Sequence, residues 1–250
     1  MKYSISFFLC FFLVTIIVSQ SGIAQKAIIN KALHESVLEV HQKQQNVGVA
    51  AALISKEKLM FADYIGLGDI ENNVEIHERS KFGIASVTKL FTAVTILKLE
   101  AENKIDLDAT VQDYFSDLTF NSKKDITIRM LLTHQSGIPH PNNRTPKLFS
   151  TNYKSAMEAM EVFVNDSLLF EPGTANQYSS SNYNLLAAIV EKISKKLFVD
   201  VVTELIIEPL DLNQTTFDNV LRQIPNKVRR YSFYHPWTYH ESDTLYSIPI

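Results

Sequence analysis

Phe82-Gly83-Ile84-Ala85-Ser86-Val87-Thr88-Lys89-Leu90-Phe91-Thr92-Ala93-Val94-Thr95-Ile96-Leu97-Lys98-Leu99 is the stretch on which the rest of the chain is read. From Val87 to Leu99 every position is apolar or Thr except Lys89 and Lys98. This predicts a helix, and a helix that is apolar almost all round is expected inside a fold rather than on its surface. Lys98 lies near the far end, beside Glu100 and Glu102, within reach of water. Lys89 falls in the first turn, three residues after Ser86, so both side chains project from one face. A hydroxyl and an amine thus meet at the N-terminus of an element expected to be buried. Two readings are open. Ser86 caps the helix while Lys89 snorkels to water. Alternatively, the helix dipole and burial bear against a cationic side chain, and Lys89 takes the proton of a nucleophilic serine.

The chain around this stretch has 250 residues and a formal net charge of -3, which fits one large domain or two lobes. Its 46% hydrophobic and 20% charged content is that of an ordinary globular protein. No basic excess points to nucleic acid, and no acidic tract points to a disordered tail. The seven His show no metal-ligand spacing and there is no His-Glu-x-x-His, so neither a metal nor another cofactor is expected.

Residues 1–24 read as a secretory signal. Met1-Lys2-Tyr3 gives a short positive end, Ile5 to Val18 an apolar core and Ser21-Gly22-Ile23-Ala24 a small-residue exit, with cleavage expected after Ala24. The apolar run is about fourteen residues, short of the ~20 that span a bilayer. Retention of the segment as an anchor is the alternative. Cys10, the single cysteine, falls inside it, so the mature chain would have no disulfide and no thiol nucleophile. The expected location is the bacterial periplasm or the cell exterior.

Residues 26–45 predict an amphipathic helix, with Ile29, Leu33, Val37 and Val40 on one stripe. His34 and His41 on it are read as solvated. Val47 to Ile54 and Leu59 to Ile65 predict a hairpin buried on both faces, turning at Ser55-Lys56-Glu57-Lys58. That turn is a second Ser-x-x-Lys match, in a solvated context with no chemistry. Gly66-Leu67-Gly68-Asp69 is expected to be a loop, not a phosphate cradle, because no helix follows it. Further on, 126–136 predicts a short helix stopped by Gly137 and Pro139, 140–152 a surface loop, and Ala156 to Leu169 an amphipathic helix. Phe170-Glu171-Pro172-Gly173-Thr174 is a tight turn. Helices follow over Tyr183 to Ser194 and Phe198 to Ile207, then an extended aromatic tail from Arg229.

Tyr178 stands just ahead of a helix and just after a Pro-Gly turn, where a phenol can be aimed into a cleft. Beside a Lys cation its pKa falls, which makes it a usable proton carrier. A Tyr simply packed with its hydroxyl at the surface is the alternative. Taken together, the hairpin, Ser86-Val87-Thr88-Lys89, Leu131-Leu132-Thr133-His134-Gln135-Ser136-Gly137-Ile138, Glu171-Pro172-Gly173-Thr174, Tyr178-Ser179-Ser180 and Pro209-Leu210-Asp211-Leu212 stand in one order. This ordered set resembles the active-site serine β-lactamase-like family, which includes class C β-lactamases, D-alanyl-D-alanine carboxypeptidases, related esterases and serine β-lactamase-like peptidases.

The resemblance implies an α+β, β-lactamase/transpeptidase-like fold: an antiparallel sheet flanked by helices, plus an all-helical lobe. It divides residues 25–250 into an N-terminal helix and hairpin (25–80), a mainly helical lobe (81–225) and an incomplete return segment (226–250). It makes Ser86 the acylated nucleophile, Lys89 its basic partner and Tyr178 the general base and acid. It makes Ser180 a substrate-binding residue and the Ser86 N–H half of an oxyanion hole. His134 would be structural, bonding the turn at Ser136-Gly137. The implied substrate is a small molecule or peptide carrying an amide or ester carbonyl.

Two departures stand out. Ser180 replaces the usual Asn and can donate one hydrogen bond but cannot bridge two partners, while Asn182 replaces the usual Gly. The family's third motif, a Lys- or His-x-Gly strand, would lie beyond Ile250, and with it the final strands of the sheet. A catalytically silent fragment, or a binding or sensor module that does not turn over, is therefore the alternative to a working hydrolase.

Overall fold

The computed structural model describes residues 25–120, 122–141, 153–218, 223–234 and 238–241. The signal segment, most of the 140–152 loop and the last nine residues of the tail lie outside them. The chain divides into two compact units, one formed by the residues up to Ser80 with Asn226–Glu241, the other by Lys81–Pro225.

In the first unit a helix, α1, covers 25–44. Strand β1 (Gly48–Ser55) pairs antiparallel with β2 (Lys58–Asp69), and β2 with the two-residue β3 (Val74–Glu75). The register places Gly48 opposite Gly66 and Ser55 opposite Lys58. The second Ser-x-x-Lys match is thus the hairpin turn, with Lys56 at φ 47° and Glu57 at φ 63°. Gly66-Leu67-Gly68-Asp69, expected to be a loop, is the end of β2. Its Gly66 has φ 84°, and a Cβ there would strike the Val47 carbonyl oxygen, which instead accepts the Leu67 N–H at 2.8 Å. Burial on both faces is not found. Leu53, Ile54, Leu59 and Met60, at the turn end of the hairpin, are exposed, and β1 has no partner on its other edge among the described residues. The aromatic tail is not simply extended: β4 (Tyr231–Tyr234) pairs antiparallel with β5 (Thr238–Glu241). Tyr231 is anchored through its hydroxyl, which donates to Glu71 at 2.6 Å and accepts the Ile70 N–H at 2.7 Å.

The second unit is helical. It contains a 3-10 turn at Ala85–Val87, then α2 (Thr88–Ala101), α3 (Val111–Tyr114) and α4 (Ile128–Leu132). These are followed by α5 (Ala156–Met160), α6 (Ser180–Ser194), α7 (Phe198–Val202) and one π turn at Thr203–Ile207. The fully enclosed rod is α6, not α2: every residue from Ser181 to Glu191 is buried. Around it pack Ile96 and Leu99 of α2, Leu131 of α4, Phe163, and Phe198 and Val202 of α7. Helix α2 buries Lys89, Thr92, Thr95, Ile96 and Leu99, with Phe91 and Ala93 partly buried against the core. Its opposite face, Val87, Leu90, Val94 and Leu97, is open, with Leu90 65% exposed. Uniform apolarity here marks a helix with two contact faces, of which one is covered among the described residues.

Three helix bounds differ from expectation. Helix α4 starts where the Thr127 hydroxyl accepts the Met130 N–H and ends at Leu132, before Gly137. Its terminator is His134 at φ 59°, after which the Gln135 N–H returns to the Met130 carbonyl in the pattern of a left-handed cap. Helix α5 stops after five residues, because the Phe163 and Val164 N–H groups both turn back to the Met160 carbonyl. Helix α6 begins three residues earlier than expected, at Ser180, and that shift carries Ser180 into its first turn.

Candidate active site

The 3-10 turn decides how Ser86 is used. A serine cap would point its oxygen at a backbone N–H, but the N-cap of α2 is Val87 and no side chain caps either the turn or the helix. Ala85, immediately before, has φ 45°, a left-handed conformation that costs a non-glycine residue about 1 kcal/mol. The hydroxyl of Ser86 is directed at side chains instead. It lies 2.8 Å from the Tyr178 hydroxyl and accepts from Lys89 Nζ at 3.3 Å. Nor does Lys89 snorkel. It is 7% exposed, and its Nζ also donates to Ser180 Oγ at 3.0 Å. The ammonium stands 5.0 Å from the Tyr178 ring centre and 5.7 Å from that of Tyr183, so two aromatic faces share its desolvation. Ser86, Lys89, Tyr178 and Ser180, singled out from sequence, are brought into one constellation.

Burial alone would raise the Tyr178 phenol. Hydrogen bonding from Lys89, Ser86 and Ser180 together with the Lys89 charge outweighs it and lowers the phenol below its ordinary value near 10. The Tyr178 phenol is thus easier to ionise than an ordinary one, and as a phenolate 2.8 Å from Ser86 Oγ it can act as acceptor for the serine proton.

The segment that carries Tyr178 is held by the 134–140 loop. Gln177 and Ser179 donate their N–H groups to the His134 carbonyl at 2.9 Å and to its Nδ1 at 3.2 Å. Ser180 N–H donates to His140 Nδ1 at 3.1 Å. The Pro139 carbonyl accepts from Ser179 Oγ at 3.0 Å and Ser181 Oγ at 2.9 Å. The Ser179-Ser180-Ser181 run thereby divides its tasks: the outer two hydroxyls fasten the segment, and the middle one faces Lys89.

His134 was expected to bond the turn at Ser136-Gly137, and it does not. That work falls to Asn182, whose Oδ1 accepts from Ser136 Oγ at 2.7 Å while its Nδ2 donates to the Leu131 carbonyl at 3.3 Å. The departure from Gly at 182 is thus accounted for by packing. His134 instead lies against Tyr178 and Tyr183, at ring separations of 4.7 and 5.3 Å. His140, 5.5 Å from the Tyr178 ring, begins the stretch expected to be a surface loop, and nothing in its sequence surroundings singles it out. Tyr183, missed from sequence, fixes its hydroxyl on the Leu132 carbonyl at 3.0 Å. No group of three or more His, Cys, Asp or Glu able to hold a metal occurs among the described residues, and no helix there is long and apolar enough to cross a membrane.

Comparison with known proteins bears on the family and the fold. Protein flp of Staphylococcus aureus (strain MW2) is 29% identical over 180 residues, covering 70% of this chain and 36% of its own length. The serine beta-lactamase-like protein LACTB, mitochondrial, of Homo sapiens is 24% identical over 273 residues, covering 81% of this chain and 50% of its own. The chain therefore spans between about a third and a half of these relatives. Among solved structures, the octameric penicillin-binding protein homologue from Pyrococcus abyssi superposes with a TM-score of 0.77 at 23% identity, over 87% of this chain and 51% of the other. The D-amino acid amidase from Ochrobactrum anthropi SV3, complexed with L-phenylalanine amide, gives 0.69 at 26% identity, over 81% and 57%. These neighbours carry the β-lactamase/transpeptidase-like architecture expected from the motifs. The Beta-lactamase family model matches residues 32–248, and the chain belongs to that family.

Proposed function

We propose that the chain belongs to a serine hydrolase that works through an acyl-enzyme on the amide or ester carbonyl of a small molecule or peptide. The observation that carries this is the position of Ser86 Oγ, between the Tyr178 hydroxyl at 2.8 Å and Lys89 Nζ at 3.3 Å. Ser86 Oγ attacks the carbonyl carbon as its proton passes to Tyr178, and the Lys89 ammonium stabilises the charge that shifts between them. The carbonyl oxygen becomes an oxyanion facing the Ser86 N–H. Collapse expels the amine or alcohol, which takes the proton from Tyr178, and leaves an ester on Ser86. Water, deprotonated by Tyr178, then releases the acid and restores the serine.

Ser180 is the substrate-binding group in this reading. Its oxygen accepts from Lys89, and its single hydrogen, directed at the Tyr178 phenol, turns to a substrate carbonyl on binding. The 1–24 segment exports the protein, placing the site in the periplasm or outside the cell. The test is labelling with a fluorophosphonate and with a fluorescent penicillin, followed by mapping of the adduct. The expected adduct is on Ser86. Labelling that persists in Ser86→Ala would refute the assignment, and labelling by penicillin without turnover would recast the protein as a sensor.

A further inference from the structure

His134 and His140 grip two consecutive peptide N–H groups from opposite ends of one loop. Each uses Nδ1 as the acceptor, at 3.2 Å from Ser179 N and 3.1 Å from Ser180 N. Only an unprotonated Nδ1 can accept, so both rings must be neutral with the proton on Nε2. Their planes also flank the Tyr178 ring, at 4.7 and 5.5 Å. Tyr178 is nearly half exposed, so beyond the bonds of its hydroxyl to Ser86 and Lys89 the direction of its phenol is set by the segment that carries it. We infer that His134 and His140 are positioning residues that, as a pair of neutral acceptors, hold the Tyr178-Ser179-Ser180 segment so that the phenol meets Ser86 and the Ser180 hydroxyl meets Lys89. This rests on the roles proposed above for Ser86 and Tyr178.

The surroundings favour the neutral form. Burial pushes both imidazoles below their ordinary value, the Lys89 charge adds to this, and His140 acts in the same sense on His134. Among the described residues, the charged and titratable groups bearing on the pair are Lys89 from α2, the Tyr178 phenol, Tyr183 from α6, and each other. None is a carboxylate that would draw a proton onto the rings. Ser180 N–H belongs to the first turn of α6, where intrahelical partners are lacking, so His140 also serves as an external cap. A proton on Nδ1 would abolish that acceptor and set a cation at the positive end of a fifteen-residue helix. Acidification thus loosens the segment from both ends.

The experiment combines ¹⁵N imidazole spectra, the titration of ¹³C-labelled Tyr178, and the rate of fluorophosphonate labelling between pH 5 and 9. The proteins are wild type, His140→Ala, His140→Asn and His134→Asn. Asn places an oxygen near the position of Nδ1 but does not titrate. Expected are Nε2–H tautomers for both rings and a Tyr178 titration displaced in His140→Ala. His140→Ala should label about tenfold more slowly, the worth of one lost hydrogen bond to an aligned group. The Asn variants should keep the neutral-pH rate and lose part of the acid decline. Protonated Nδ1 in the neutral rings, or a Tyr178 titration and labelling rate unmoved in His140→Ala, would overturn the inference. Asn variants as impaired as Ala would also overturn it, since a merely steric role predicts that. Should wild type carry no label on Ser86 while the tautomers and the Tyr178 displacement are as expected, the nucleophile assignment falls and the positioning role stands.

Discussion

Ser180 Oγ lies 3.0 Å from Lys89 Nζ, closer than Ser86 Oγ at 3.3 Å, so the lysine of the Ser-x-x-Lys pair is held from α6 as firmly as from its own helix. The hydroxyl at 180 therefore anchors the ammonium, apart from the substrate contact proposed for it.

Removing the anchor while leaving the pair intact separates these roles. Ser180→Ala deprives an almost buried ammonium of a hydroxyl acceptor at 3.0 Å, and a hydrogen bond to a charged group is worth about 1.5–3 kcal/mol. Labelling of Ser86 should slow about ten- to hundredfold, and the urea midpoint should fall as well, because the bond is lost from the folded chain. Ser180→Asn should recover most of the rate, because the amide oxygen accepts from Lys89 while its N–H₂ faces substrate. An unaltered second-order labelling rate in Ser180→Ala would remove Ser180 from the site.

Stability should fall in acid because of the two histidines. Both are held below the ordinary imidazole value of about 6.5 in the folded chain and return to it on unfolding. Below that pH the unfolded state binds the extra protons, so the stabilisation present at neutral pH declines as pH drops toward the folded values. Urea midpoints at pH 7.5 and pH 5 should differ in this direction, and the difference should shrink in the His134→Asn, His140→Asn double variant. Equal shrinkage on replacing exposed His34 would assign the effect elsewhere.

Glu191 is 3% exposed and carries no cationic partner in the described structure, yet both its oxygens are used. Oε1 accepts the N–H groups of Ala156 at 3.1 Å and Phe198 at 3.0 Å, and Oε2 that of Met157 at 3.0 Å. These are first-turn donors of α5 and α7, which five-residue helices cannot satisfy internally. Glu191→Gln sets an N–H₂ against one of the donors and should destabilise by about 1–3 kcal/mol. Glu191→Ala orphans all three and should cost more. Chemical denaturation decides this, and an unchanged midpoint in Glu191→Ala would show that water replaces the carboxylate.

The hairpin turn at Lys56-Glu57 offers a change of opposite sign. Both residues have positive φ, the geometry of a type I′ turn that Asn-Gly adopts without strain. Glu57→Gly should stabilise by about 0.5–1 kcal/mol, the left-handed penalty outweighing the added freedom of the unfolded chain. A lowered urea midpoint would contradict the turn assignment.

The groups of the candidate site were legible in the sequence because their types and spacing are local: three residues set Ser86 and Lys89 on one face, and a Pro-Gly turn followed by Tyr-Ser-Ser announces the second edge. What was hidden depends on distant partners. α2 and α6 are both rich in apolar residues, and no pattern within either says that α6 is enclosed while Leu90 and Val94 stay open. His134 ends α4 in a left-handed conformation that its composition gives no reason to expect. His140 gains its meaning only from the Ser180 N–H that the fold carries to it across forty positions.

The residue before the nucleophile carries the last expectation. Ala85 at φ 45° turns the chain so that Ser86 enters a 3-10 turn with its hydroxyl free of capping duty. Glycine adopts this conformation without strain, whereas a β-branched side chain resists it strongly. Ala85→Gly should therefore keep the labelling rate within about threefold and leave stability within ~1 kcal/mol of wild type, relief of strain and unfolded-chain freedom nearly offsetting. Ala85→Val should lower the urea midpoint and slow labelling at least tenfold, because regaining negative φ re-aims Ser86 away from Tyr178. If Ala85→Val labels as fast as wild type, the left-handed turn does not aim the serine, and the 2.8 Å approach to Tyr178 is set by the 134–140 loop alone.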